Sequence, residues 1–128
     1  MATTPLTLDT FEPTVLSGGI TIVDFWAEWC GPCRAFAPVF EQASETHGDI
    51  TFAKVDTEAE QQLARQLQIM SIPTVMVFRD GILLYSEPGA MPAHQLEQVI
   101  GAVRALDMDE VRRDIAEDER ANTAGSGD

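Results

Sequence analysis

The run DFWAEWCGPCRAF at residues 24–36 concentrates the reactive chemistry of this chain. It holds both cysteines, Cys30 and Cys33, both tryptophans, and Asp24, a carboxylate inside an otherwise apolar stretch. Residues three apart are neighbours on one helical face. With Cys30 opening a helix and Cys33 in its first turn, their α-carbons come close enough for a disulfide. Pro32 suits a first helical turn, where its missing N–H is no loss. The pair follows directly on a strand pattern, so it sits at a strand's carboxyl end, where sites in open α/β sheets form. The two sulfurs are then unequal. Cys30 faces the unpaired N–H groups and the positive end of the helix dipole, which favour its thiolate, while Cys33 is expected to lie deeper and to be less accessible. The chemistry this supports is dithiol–disulfide exchange. Cys30 attacks a partner's disulfide, and Cys33 resolves the mixed disulfide, leaving Cys30–Cys33 oxidised and the partner reduced.

A structural disulfide and a metal site are the competing readings. So short a loop removes little unfolded-state entropy. A zinc site needs four ligands, and beyond the cysteines the obvious donors are His47 and His94, which are scattered. His47 precedes Gly48 at an expected helix end, where a cation suits the dipole, and His94 reads as an exposed first-turn residue.

Asp24 is expensive in a central strand unless it is paired or protonated. Burial should raise its pKa toward neutrality, which fits it to take the proton that Cys33 must lose. A turn cap or a plain salt bridge is the alternative reading. Lys54 is the one lysine beside seven arginines. Pairing with Asp24 would explain why a compact ammonium stands there rather than a fixed guanidinium fork; a surface lysine present by chance is the alternative.

The elements that must position these groups are legible as periodicities. GITIVDFW at 19–26 is a near-continuous β-branched and aromatic run, suited to a strand covered on both faces. ITFAKVD at 50–56 is a second strand, and residues 74–86 read as a hairpin turning at Asp80-Gly81. LTL at 6–8 reads as an edge strand. Phe36, Val39, Phe40 and Ala43 recur at helical spacing, with Gly48 as the expected C-terminal cap. Ala59, Leu63 and Leu67 form another stripe. Leu96, Val99, Ile100, Val103 and Leu106 form the cleanest, starting near Pro92. A short helix is expected at 11–16, with Pro13 in its first turn. The order is βαβαβα and then ββα. Strands joined through helices are expected to be parallel and the final hairpin antiparallel, giving an α/β mixed central sheet with helices on both faces.

Length and composition suit one domain with a proper core. Residues 1–11 contain no Lys or Arg and no apolar h-region follows, so no export signal is expected and the compartment expected is the cytoplasm. There a close cysteine pair points to catalysis or metal binding. The formal net charge of −13 disfavours nucleic acid and anionic membranes, and no apolar run approaches a membrane span. Residues 107–128 carry eight acidic and three basic side chains, so −5 of the total lies there. ANTAGSGD at 121–128 has the composition of a disordered tail, while Met108, Val111 and Ile115 form a thin stripe that would extend the last helix. The boundaries expected are a domain over 1–107 and an acidic extension over 108–128, partly helical or disordered.

VDFWAEWCGPC at 23–33, AKVD at 53–56, SIPT at 71–74, the DG turn at 80–81 and PGA at 88–90 occur in this order. Together they closely resemble the thioredoxin family over residues 5–106. The resemblance implies the thioredoxin fold, with Cys30 as nucleophile, Cys33 as resolving thiol, and Asp24 as buried proton-transfer residue tuned by Lys54. It implies a cis bond before Pro73 facing the dithiol, a helix kink at Pro38, and a docking surface of Trp29, Gly31, Pro32, Ile72, Pro73, Thr74, Gly89 and Ala90. The backbone of Ile72 or Thr74 would pair with a partner's extended chain. The activity implied is reduction of protein disulfides, with disulfide-containing clients and an NADPH-dependent thioredoxin reductase as partners, and a monomer working without a bound cofactor or metal. The chain has no dinucleotide fingerprint of its own. An oxidase or isomerase on the same fold is the rival activity, disfavoured by Gly31-Pro32; a non-enzymatic binding or chaperone-like subunit is the rival class. Met70-Ser71 and Arg34 stand where many relatives carry Gly or a basic residue, and Lys, respectively.

Overall fold

The computed structural model describes residues 2–126, and the side chains of residues 2–121. In chain order the elements are β1 (Thr3–Pro5), α1 (Leu8–Val15), β2 (Ile20–Trp26), α2 (Gly31–Thr46), β3 (Thr51–Asp56), α3 (Gln61–Gln66), β4 (Thr74–Arg79), β5 (Ile82–Pro88), α4 (Ala93–Ala105) and α5 (Met108–Ser126). The strands form one mixed sheet in the order β1-β3-β2-β4-β5. The chain divides into two compact units, Met1–Glu97 and Gln98–Asp128.

In the first unit the β-branched run of β2 lies at the centre of the sheet and is buried over 21–25. Successive side chains on a strand point to opposite faces. Val23 and Phe25 join Ala53, Val55, Met76 and Phe78 in the core under α1 and α3, which add Phe11, Val15 and Leu63. The aromatic rings there are Phe11, Phe25 and Phe78, with Phe11 centred 6.3 Å from Phe25 and 5.9 Å from Phe78. The opposite face carries α2. Its Phe40 lies 5.8 Å from Phe36 and 5.3 Å from Phe52 of β3. By alternation Ile22, Asp24 and Trp26 face this second side, as do Phe52, Lys54 and Asp56.

The parallel-strand expectation holds for β1, β3 and β2 but not for β4, which runs antiparallel to β2 although α3 joins it to β3. The reason is reach. A crossover helix must span the height of the sheet, and six residues of α3 rise only about 9 Å. The chain therefore stays at the carboxyl end of β3 and enters β4 from there, with Thr74 paired to Phe25. α3 stops early because Gln68 adopts φ 57°. Gln68 N–H then bonds the Arg65 carbonyl at 3.1 Å and Ile69 N–H the Ala64 carbonyl at 2.9 Å, the paired closure of a Schellman end.

Other boundaries differ too. β1 occupies Thr3–Pro5 instead of 6–8, since buried Leu6 already turns inward, its N–H on the Lys54 carbonyl at 2.9 Å. α1 begins at Leu8, with the Thr10 hydroxyl accepting from Thr7 N–H at 2.9 Å, so Pro13 falls inside it rather than in its first turn. α2 ends on His47, and Gly48 is not among the left-handed glycines. His47 is instead tied to Glu97 at 2.8 Å. Pro38 lies inside α2, where it offers no N–H to the Arg34 carbonyl. Asp80 and Gly81, at φ 53° and 80°, make the expected hairpin turn.

The second unit holds the rest of α4, where Ile100 and Val103 are buried, and then α5. Asp107 caps α5, its carboxylate accepting from Asp109 N–H at 3.0 Å and Glu110 N–H at 3.3 Å. The backbone of 121–126, expected in the tail, is helical; Gly127 and Asp128 lie outside the described residues.

Candidate active site

β2 delivers the chain to the site and α2 carries it away. Cys30 is the residue that caps α2: its backbone is extended, and its sulfur accepts the Cys33 N–H at 3.2 Å. Gly31 and Pro32 form the start of the first turn. Cys30 and Cys33 are joined in a disulfide, with α-carbons 5.2 Å apart. The Cys30 sulfur is thus held where N–H groups and the helix dipole stabilise negative charge on it.

The expected contrast in exposure needs correction. Cys30 is only 4% exposed and Cys33 3%, because Ala27, Trp26 and Ile72 pack around both. The asymmetry lies in what each borders. Cys30, but not Cys33, lines a groove of about 450 Å³ whose walls include Trp29, Pro32, Ile69, Met70 and Ile72.

The connection from α3 into antiparallel β4 supplies the groove's far side, with Ile69, Met70, Ser71 and Ile72. The Ile72–Pro73 bond is cis, and the Ile72 carbonyl oxygen lies 3.7 Å from Cys30 Sγ. The expected docking residues separate here. Trp29, Gly31, Pro32 and Ile72 border the groove. Pro73 and Thr74 are buried, and Thr74 lies between β2 and β5 with its hydroxyl on the Ser71 carbonyl, which leaves Ile72 as the one with backbone beside the sulfur. Gly89 and Ala90 are exposed, outside the groove lining, and Gly89 N–H bonds the Pro73 carbonyl at 2.8 Å.

Asp24 is wholly closed to solvent, and neither carboxyl oxygen has a hydrogen-bond partner. Burial pushes its carboxyl up from 3.8 to about 7, and the Lys54 charge holds it lower than burial alone would. Lys54 is its register partner on β3. The ammonium does not pair directly with the carboxylate; it sits 4.9 Å from the centroid of the Trp26 ring. Trp26 in turn packs against the dithiol, so the lysine, the indole, the carboxyl and α2 share one face of the sheet.

Trp26 and Glu58 were not among the expected site residues. Trp29 is 67% exposed, yet its indole N–H is held by Glu58 Oε1 at 2.6 Å. The Asp56 carboxylate accepts from Glu58 N–H at 2.9 Å, and Thr57 N–H bonds the Trp26 carbonyl at 2.9 Å. The turn after β3 thus clamps Trp29 from a distance in sequence that no local pattern reports. Among the described residues no three His, Cys, Asp or Glu side chains gather to hold a metal ion, and no helix is long and apolar enough to cross a membrane.

The family model for thioredoxin matches residues 2–102. A Streptomyces coelicolor protein named "Putative thioredoxin 2" is 49% identical over 116 residues, which is 91% of this chain and 87% of that protein. The thioredoxin of Alicyclobacillus acidocaldarius is 40% identical over 103 residues, 80% of this chain and 98% of its own. A solved Plasmodium falciparum thioredoxin superposes with a TM-score of 0.71 at 33% identity, over 77% of this chain and 97% of that one.

Proposed function

The chain belongs to the thioredoxin family of thiol–disulfide oxidoreductases, and from this we propose that it reduces client protein disulfides through a reversible Cys30–Cys33 dithiol. The observation that carries this reading is the Cys30 sulfur, which accepts an N–H at the start of α2 and borders an uncharged groove.

In the reduced protein the Cys30 thiolate attacks one sulfur of a client disulfide. A Cys30–client mixed disulfide forms, and the client's other sulfur leaves as a thiolate. Cys33 then gives its proton to the Asp24 carboxylate and attacks Cys30 Sγ. The mixed disulfide breaks, the Cys30–Cys33 bond forms, and the second client thiolate departs. The client gains two electrons and, from water, two protons. A carboxyl at about 7 exchanges protons with a thiol near neutrality, as general acid–base catalysis requires. Lys54 tunes that carboxyl. The client's extended chain lies along the groove, against the Ile72 backbone and the Trp29 ring, with Gly31, Pro32, Gly89 and Ala90 shaping the surrounding surface and buried Pro73 and Thr74 supporting it from beneath.

An NADPH-dependent thioredoxin reductase returns the electrons, and the working compartment is the cytoplasm. Residues 1–107 form the catalytic domain. Residues 108–128, beyond the matched family region, are an acidic appendage that aids solubility. The test is insulin reduction coupled to thioredoxin reductase and NADPH. Turnover that disappears in the Cys30→Ser, Cys33→Ser double variant is expected; an inert wild-type protein, or a double variant that still reduces insulin, overturns the reading.

A further inference from the structure

Two large apolar side chains are more exposed than any others described: Met70 at 92% and Trp29 at 67%. Trp29 is in the turn between β2 and α2 and Met70 in the connection between α3 and β4, and both border the groove at Cys30. Exposed apolar groups that gather at one place mark a recognition surface rather than chance.

Met70 is exposed without being loose. The preceding residue, Ile69, is anchored twice: its N–H closes the Schellman end of α3 on Ala64 at 2.9 Å, and its side chain packs against the core under α1 and α3. Two residues later Ile72 packs on the dithiol. Between these anchors the backbone holds Met70 outward. Its side chain also lines a second hollow, of about 150 Å³, whose walls include Leu67, Met76 and Pro88. It therefore forms the partition between two hollows. An unbranched thioether with three rotatable bonds adapts to either side.

The groove carries no charged side chain in a protein of formal charge −13. Its occupant follows from the floor: the group that exchanges with the reduced Cys30 thiolate is a disulfide sulfur. We propose, on the basis of the reductase reading above, that Met70 is a specificity-determining residue, forming the wall that receives an apolar client side chain adjacent to the client's cysteine. Clients with such a side chain desolvate against the thioether and Trp29 and bind better; clients with a polar one leave that wall wet.

The probes are two disulfide-linked peptides that differ only in carrying leucine or serine beside each cysteine. The wild type prefers the leucine peptide in kcat/KM, through KM. In Met70→Gln, which keeps length and removes the apolar end, the leucine-to-serine ratio falls about tenfold, the order expected for losing one buried apolar contact. In Met70→Leu the ratio is kept. A ratio in Met70→Gln equal to that of the wild type overturns the assignment, including the case in which both peptides slow alike. A wild type that reduces neither peptide nor insulin overturns the reductase reading as well, so the two failures are distinguishable.

Discussion

Replacing Asp24 with Asn should stabilise the folded protein by an amount that depends on pH. Asp24 is closed to solvent with both oxygens unpartnered, and its carboxyl stands at about 7 against an ordinary 3.8. Each tenfold change is about 1.4 kcal/mol, so ionising this group in the folded state costs about 4 kcal/mol more than in the unfolded chain. Between 3.8 and about 7 the folded protein keeps a proton that the unfolded chain has released. Wild-type stability therefore falls as pH rises through that window and levels off above it. The amide introduced by Asp24→Asn has no proton to lose. The stability difference should grow by about 4 kcal/mol from pH 4 to pH 8.5, and any constant offset from burying an amide cancels in that comparison. Guanidinium unfolding of both oxidised proteins, followed by tryptophan fluorescence at several pH values, reads it directly. A difference that stays flat with pH, or an Asp24→Asn variant that loses ground at pH 8.5, would show that the ionised carboxylate finds partners in the fold and would refute the reasoning.

Lys54→Gln removes the charge that holds the Asp24 carboxyl down, so that carboxyl should titrate above about 7; carbon-detected NMR of its side chain checks this, and an unmoved midpoint sinks the coupling. Cys33→Ser should accumulate mixed disulfides on Cys30 when mixed with oxidised clients, seen as added mass that dithiothreitol removes; trapping through Cys33 in the Cys30→Ser variant instead would reverse the two roles. Glu58→Ala frees the Trp29 indole N–H, and should red-shift its emission and raise KM for protein clients about threefold to tenfold, the loss expected for one charge-assisted hydrogen bond that orders a docking side chain; an unchanged spectrum would show that the clamp does not hold in solution.

Much of this site was legible before any coordinates. The β-branched run around Asp24 announces a covered central strand, and a carboxylate within it stands out because every neighbour is apolar. The cysteine spacing and Pro32 mark a helix start. What was hidden depends on direction and on distance. A strand's pattern is the same read either way, so the antiparallel course of β4 could not be seen. Gln68 in a left-handed conformation is a place where Gly or Asn is the usual signal, so the early end of α3 was missed. Gly48, which has that signal, does not use it. Glu58 and Trp26 acquire their roles only because β3 pairs beside β2, and Met70 only because the α3 connection stays at one end of the sheet.

That connection has a consequence for how the protein comes into being. The cysteines are synthesised early, but Met70 and Ile72 follow much later, and β4 must then slot in beside β2 before either of them arrives beside Cys30. A nascent chain halted at residue 60 would carry both cysteines at the start of α2 but none of the groove wall at residues 64–72. What completion of the sheet adds is the groove wall of Ile69, Met70 and Ile72 beside Cys30.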